Sequence, residues 1–158
     1  MALSEYELIR RFITHHAPVS VLGVGYDAAI ARARPGCDLV ITTDMLVAGR
    51  HFDAAADPEW LGHKALAVNL SDIAAMGAKP RWATLALALP KADTRWLAAF
   101  SRGFMRLARH HGVDLVGGDT TRGPLNICVQ VVGEVPRGRA LRRDGARIGR
   151  IVTRGQVG

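Results

Sequence analysis

Cysteine is scarce in this 158-residue chain: Cys37 and Cys128 are the two present, too few and too far apart for a disulfide framework or a four-ligand zinc site. No apolar run approaches the ~20 residues of a membrane helix, and the opening MALSEYELIRR lacks the basic stretch and apolar core of an export signal. The expectation is a cytoplasmic protein in a reducing compartment, without a membrane partner. Lysine is also rare, since 18 of the 21 Lys and Arg residues are Arg. A net charge of +7 invites a nucleic-acid reading, yet the clusters lie near the chain ends, at Arg10 with Arg11 and from Arg137 to Arg154. No aromatics interleave with them to stack bases, so no nucleic-acid partner is expected. With 49% hydrophobic and 22% charged residues, the chain suits one domain with a core.

The apolar spacing predicts a leading helix from Ser4, paired with Glu7 as a capping box, to about His16. A β-branched strand runs from Leu39 to Thr43 and ends at Asp44. Asp57, Pro58 and Glu59 open a helix that Gly77 closes. A strand from Trp82 to Leu89 is stopped by Pro90, and a second long helix runs from its cap Asp93 to about His111, ended by Gly112. Leu115 and Val116 form a short strand, Gly117 to Thr121 a loop, and Leu125 to Val135 a further strand before the turn at Pro136-Arg137-Gly138. Ile151-Val152-Thr153 reads as the start of another strand. The order β, α, β, α, β, β implies an α/β or α+β layer with helices on one face.

Ten of the fourteen acids are Asp, a poor helix former suited to caps, turns and metal sites. Four fall at expected changes of chain direction: Asp27 after Gly23-x-Gly25, Asp44 after its strand, Asp72 within a helix, and Asp119 after Gly117-Gly118. Asp72 and Asn69 share a helix face and interrupt the stripe Ala65, Leu66, Val68, Ile73, Met76 that should pack inward, so a cation or hydrogen-bond partner is expected there. Glycines beside carboxylates and threonine hydroxyls suit a metal-bound nucleoside triphosphate. The chain has neither the G-x-x-x-x-G-K-[ST] phosphate loop nor the third glycine of a dinucleotide fingerprint, which leaves a nucleotide site of another type.

Four stretches carry a resemblance to the thiamine-monophosphate kinase family: Gly23-Val24-Gly25-Tyr26-Asp27-Ala28, Thr42-Thr43-Asp44-Met45-Leu46-Val47-Ala48-Gly49-Arg50-His51-Phe52, Lys64 to Ala78 with its N-L-S-D-I-A-A-M-G-A core, and Gly117-Gly118-Asp119-Thr120-Thr121-Arg122-Gly123-Pro124. The resemblance covers essentially the whole chain and only the amino-terminal half of that family, within a superfamily that includes aminoimidazole ribonucleotide synthetase. It implies an α+β fold with a mixed β-sheet and helices on one face. Residues 1–150 would form the ATP- and Mg²⁺-binding domain, with 151–158 the truncated start of a missing part. It also implies ATP-dependent phosphorylation of thiamine monophosphate to thiamine diphosphate, and a homodimer through the sheets. The strands Trp82 to Leu89 and Leu125 to Val135 are expected to contribute to the dimer.

By motif position, the resemblance makes Asp27, Thr42, Thr43, Asp44, Asp72 and Asp119 ligands of Mg²⁺. Gly118, Asp119 and Arg143 become ATP contacts and His51 a substrate contact. Read from the residues alone, His51 is rather a capped or solvated loop histidine, and Arg143 one more member of a solvated basic run. The acceptor oxygen belongs to the substrate's own phosphate, so no general base is assigned. Tyr26 stands where the family has a first aspartate, Met45 replaces a common Thr, and the pattern decays after Gly145. These departures keep a second reading open, a non-catalytic dimerising module derived from such a kinase.

Overall fold

A computed structural model describes residues 21–23 and 26–145. The expected leading helix, the expected strand at 151–153, Gly25 and the proposed boundary at 150 lie outside the described residues. The elements are β1 (Cys37–Val47), α1 (Pro58–Ala75), β2 (Lys79–Leu89), α2 (Thr94–His111), β3 (Asp114–Arg122), β4 (Asn126–Pro136) and a short 3-10 turn, Arg143–Gly145. The four strands form one sheet in the order β1-β4-β2-β3. β2 and β3 are parallel, as their connection through α2 requires, and the other two pairings are antiparallel. The sheet is therefore mixed, with α1 and α2 on one face.

Both helices start where local chemistry stops their amides from being orphaned. The Asp57 carboxylate accepts from the Glu59 amide at 2.8 Å, and the Asp93 carboxylate accepts from the amides of Arg95 and Trp96 at 3.0 and 3.1 Å. Leu61, Leu66 and Ile73 of α1 join Leu97, Phe100 and Phe104 of α2 over Leu85, Leu87, Ile127, Val129 and Val131 of the sheet, all buried. The helices cross at a point with no space for side chains. A Cβ on Gly62 would lie 2.0 Å from the Phe100 carbonyl oxygen, and one on Gly103 would lie 1.9 Å from that of Glu59. At the rim of this crossing the Glu59 carboxylate takes the guanidinium groups of Arg106 at 2.6 Å and Arg102 at 3.2 Å.

Three strands exceed their sequence-based bounds. β1 does not end at Asp44 but continues to Val47, because the alternation continues: Thr42, Asp44 and Leu46 turn toward the helices while Ile41, Thr43 and Met45 turn outward. β2 starts before Pro80, which the sheet tolerates at a register shift between Pro80 and Trp82. The stretch 117–121 is strand rather than loop: tertiary pairing of β3 along β2, to Leu89 opposite Arg122, overrides the turn preference of Gly-Gly-Asp. β2 and β4, the strands expected to contribute to the dimer, are the central strands, and the sheet edges belong to β1 and β3. On the face away from the helices Trp82 and Glu134 are buried, and the large apolar residues left exposed are Leu39, Ile41 and Met45 of β1.

The stretch before β1 is fastened through one acid. Glu134 on β4 is buried, and its carboxylate accepts from the Arg34 amide at 2.8 Å and from Arg34 Nε at 2.7 Å, with Arg81 Nε at 3.4 Å. Burial pushes the Glu134 carboxyl upward, but the hydrogen bonds and charge of Arg34 hold it below its usual value.

Candidate functional site

One corner of the sheet concentrates the oxygen donors. Thr42 and Asp44 leave β1 on the same side, toward the C-terminal part of α1 that carries Asp72. The Thr42 hydroxyl donates to Asp72 Oδ2 at 2.9 Å. Asp44 stands near enough to Asp72 that its carboxyl is raised above its ordinary value, first by burial and then by the Asp72 charge. The segment bearing Arg143 is tied to this end of α1, because the Leu141 amide donates to the Met76 carbonyl at 2.9 Å and the Leu141 side chain covers Gly77.

The helix face resolves differently from its sequence reading. Ala65, Leu66 and Ile73 are buried as the stripe requires, and Asn69 is buried with them. Its amide nitrogen donates to the Ala65 carbonyl at 3.2 Å, and its Oδ1 has no partner. Asp72, in contrast, is exposed and has its partner in Thr42. The expected burial of this carboxylate does not occur, since three residues of helix turn it from the sheet to the rim.

The remaining residues fall elsewhere. Strand alternation sends the Thr43 side chain to the uncovered face, where its hydroxyl accepts from Gln130 Nε2 at 3.3 Å, so Thr42 and Thr43 present their hydroxyls to opposite sides. Asp119 pairs with Ala86 in the row that continues through Cys128 to Met45. That row's side chains leave on the uncovered face, and roughly 14 Å, three strand spacings, separates β3 from β1. Asp27 is exposed, in an excursion closed by reciprocal backbone bonds between Leu22 and Ile30 at 3.0 and 3.1 Å. Among the described residues no three His, Cys, Asp or Glu side chains come together tightly enough to enclose a metal ion.

Gly118 has a structural reason to be glycine. A Cβ there would sit 1.8 Å from the Leu85 carbonyl oxygen, whereas the adjacent Gly117 has open space. Gly118→Ala is expected to loosen β3 from β2 at a cost of about 1–3 kcal/mol, and Gly117→Ala to be nearly silent. Amide hydrogen exchange along Asp114–Arg122 separates them: equal protection in both variants would refute the close approach as the reason for this glycine.

His51 belongs to a turn that leaves β1. Its amide donates to the Val47 carbonyl at 2.9 Å, and the Val47 amide donates to its Nδ1 at 3.1 Å. Lys64 of α1 donates from Nζ to the His51 carbonyl at 2.8 Å. Nothing in the local sequence signals that contact, because thirteen positions separate the two residues.

The donor set of the Thr42 corner, two carboxylates and a hydroxyl, is all oxygen and carries unbalanced negative charge. Mg²⁺ is held in this way in many phosphate-handling sites, by one or two carboxylates with the substrate's phosphates completing its shell, so the residues fit that ion.

Residues 25–135 match the AIR synthase related protein family in its N-terminal domain. The thiamine-monophosphate kinase of Escherichia coli strain K12 is 49% identical over 152 residues, which cover 94% of this chain and 47% of that protein. The crystal structure of thiamine-monophosphate kinase from Stenotrophomonas maltophilia superposes with a TM-score of 0.79 at 52% identity, over 84% of this chain and 42% of that one. AaThiL complexed with AMPPCP and TMP superposes with a TM-score of 0.68 at 36% identity, over 73% of this chain and 38% of that one. The chain thus spans about half the length of the curated relatives it matches. It belongs to the AIR synthase related protein family and corresponds to that family's N-terminal domain.

Proposed function

We propose that this chain is the nucleotide- and Mg²⁺-binding half of a cytoplasmic thiamine-monophosphate kinase, which transfers the γ-phosphoryl of ATP to thiamine monophosphate and yields thiamine diphosphate. The observation that carries the reading is the Thr42–Asp44–Asp72 corner, built from two of the segments that carry the resemblance to those kinases. Bound Mg²⁺ supplies charge neutralisation of the phosphates, which with positioning dominates phosphoryl transfer. The chain's own residues serve that end. Thr42 orients the Asp72 carboxylate, Asp44 stands ready to accept a cation, Arg143 is brought to the same end of α1 to meet phosphate oxygens, and His51 presents a ring nitrogen to the substrate. Asp27, Thr43, Gly118 and Asp119 complete the proposed set.

The reading includes a homodimer. One cation cannot touch both Asp44 and Asp119 of a single chain, given their opposite faces and edges. A second copy that covers the apolar face of Leu39, Ile41 and Met45 is the proposed partner.

Asp44→Asn tests the oxygen-donor corner. Without metal it is expected to raise the melting temperature by a few degrees, because it removes a carboxylate that burial and Asp72 disfavour. It is also expected to lose the stabilisation that Mg²⁺ with AMPPCP gives the parent chain. Asp119→Asn loses the same response. A metal-free destabilisation by Asp44→Asn, or a full Mg²⁺ response in either variant alone, would contradict the assignment.

A further inference from the structure

We infer that Lys64 is a positioning residue, which fixes the turn at 48–52 so that the His51 ring offers a protonated Nε2 to the substrate. The inference rests on the reading of His51 as a substrate contact and names what that contact can recognise. The backbone amide of Val47 donates to His51 Nδ1 at 3.1 Å, and a nitrogen that accepts a hydrogen bond carries no proton. The neutral ring therefore holds its proton on Nε2. The side chain is exposed, so Nε2–H is the outward group. A donor at this place selects an acceptor on the substrate, such as a phosphate oxygen or an unprotonated ring nitrogen, and rejects a donor.

The ring keeps this setting only while the turn keeps its shape. The turn is bonded to β1 by the amides of Arg50 and His51 on the Val47 carbonyl at 3.2 and 2.9 Å, closed on itself by the Gly49 amide on the Phe52 carbonyl at 2.8 Å, and anchored at its far end by Phe52, which is buried in the core. Lys64 supplies the polar tie to the helix layer, at the His51 carbonyl itself. Its Nζ donates to the His51 carbonyl at 2.8 Å and lies 4.9 Å from the centroid of the Trp60 ring, one turn earlier on α1. The cation–π contact restricts the lysine side chain, so the ammonium is held against the carbonyl rather than sampling solvent. Lys64 and Asp72 are eight residues apart on one rigid helix, about 12 Å, so the substrate turn and the oxygen-donor corner are held in one frame.

A long-range imidazole ¹⁵N–¹H correlation spectrum of this chain tests the inference, with His51 assigned by its loss in His51→Gln. The parent chain is expected to show His51 with an unprotonated Nδ1 and a protonated Nε2. Lys64→Met moves both shifts toward the average of the two tautomers while the melting temperature changes by no more than about 2 °C. Lys64→Arg, which keeps a donor and a cation for Trp60, restores the parental spectrum. A parental Nδ1–H, or a Lys64→Met spectrum identical to the parent, overturns the inference. Thiamine monophosphate added with Mg²⁺ and AMPPCP separates the two layers of the argument. Shifts at His51 that weaken at least about fivefold in apparent affinity in Lys64→Met support both. An unresponsive His51 in the parent, with the tautomer series as expected, removes the substrate reading and leaves the positioning intact.

Discussion

Gly103→Ala is expected to lose more than about 3 kcal/mol of stability, a large share of the 5–15 kcal/mol that holds a domain together. Alanine is the better helix former by about 1 kcal/mol, so an exposed helical glycine would gain from the change. Here the added methyl would lie 1.9 Å from the Glu59 carbonyl oxygen and 3.1 Å from the His63 amide nitrogen, and backbone cannot swing aside as a side-chain tip can. The helices must separate along their whole contact, which opens gaps around Phe100 and Phe104 and lengthens the bonds from Arg102 and Arg106 to Glu59. Gly62→Ala meets the Phe100 carbonyl from the other side and is expected to cost as much, and the double variant less than the sum, since one separation relieves both clashes. Urea unfolding followed by circular dichroism measures all three. Unchanged midpoints would show that the helices do not approach so closely in solution.

Glu134→Gln carries the second large effect, about 2 kcal/mol at neutral pH, because hydrogen bonds to a buried charge exceed those between neutral groups. The sign with pH follows from the direction of the shift. A carboxyl held below its ordinary value gives stability that is fully present above the unfolded value, about 4.3, and is lost as pH falls through the lower folded value. The gap between parent and variant should therefore be widest near neutrality and close in acid. Most of the cost falls on the stretch before β1, since Arg34 is the principal partner and is itself largely solvent-facing. A gap that stays constant from about pH 7 to pH 3 would remove the ion pair as its cause.

Elements with strong local signals were legible in the sequence. Asp57-Pro58 and Asp93 announced both helix starts, and Gly112 one end, because caps satisfy orphaned amides within three residues and leave their mark in adjacent positions. Strand limits were less legible. Gly117 to Thr121 has the composition of a turn, and only β2, some thirty residues earlier, makes it a strand. The same holds for the site. Thr42, Asp44 and Asp72 could be listed from their motifs, yet that Thr42 and Asp44 share a side while Thr43 faces the other depends on where the strand continues. Lys64 was invisible because its partner is a backbone carbonyl, which every residue type possesses.

The pairing of β1 also constrains how the chain is made. Val47 pairs with Asn126 and Cys37 with Pro136, so the first strand finds its neighbour 79 to 99 positions later. At ribosomal speeds of roughly 5–20 residues per second, β1 waits about 4–20 s after leaving the exit tunnel before β4 exists. During that interval Val40, Leu46, Leu39, Ile41 and Met45 have no sheet to join. Synonymous codons that slow translation between β2 and β4 would lengthen this exposure and favour aggregation without altering a single residue.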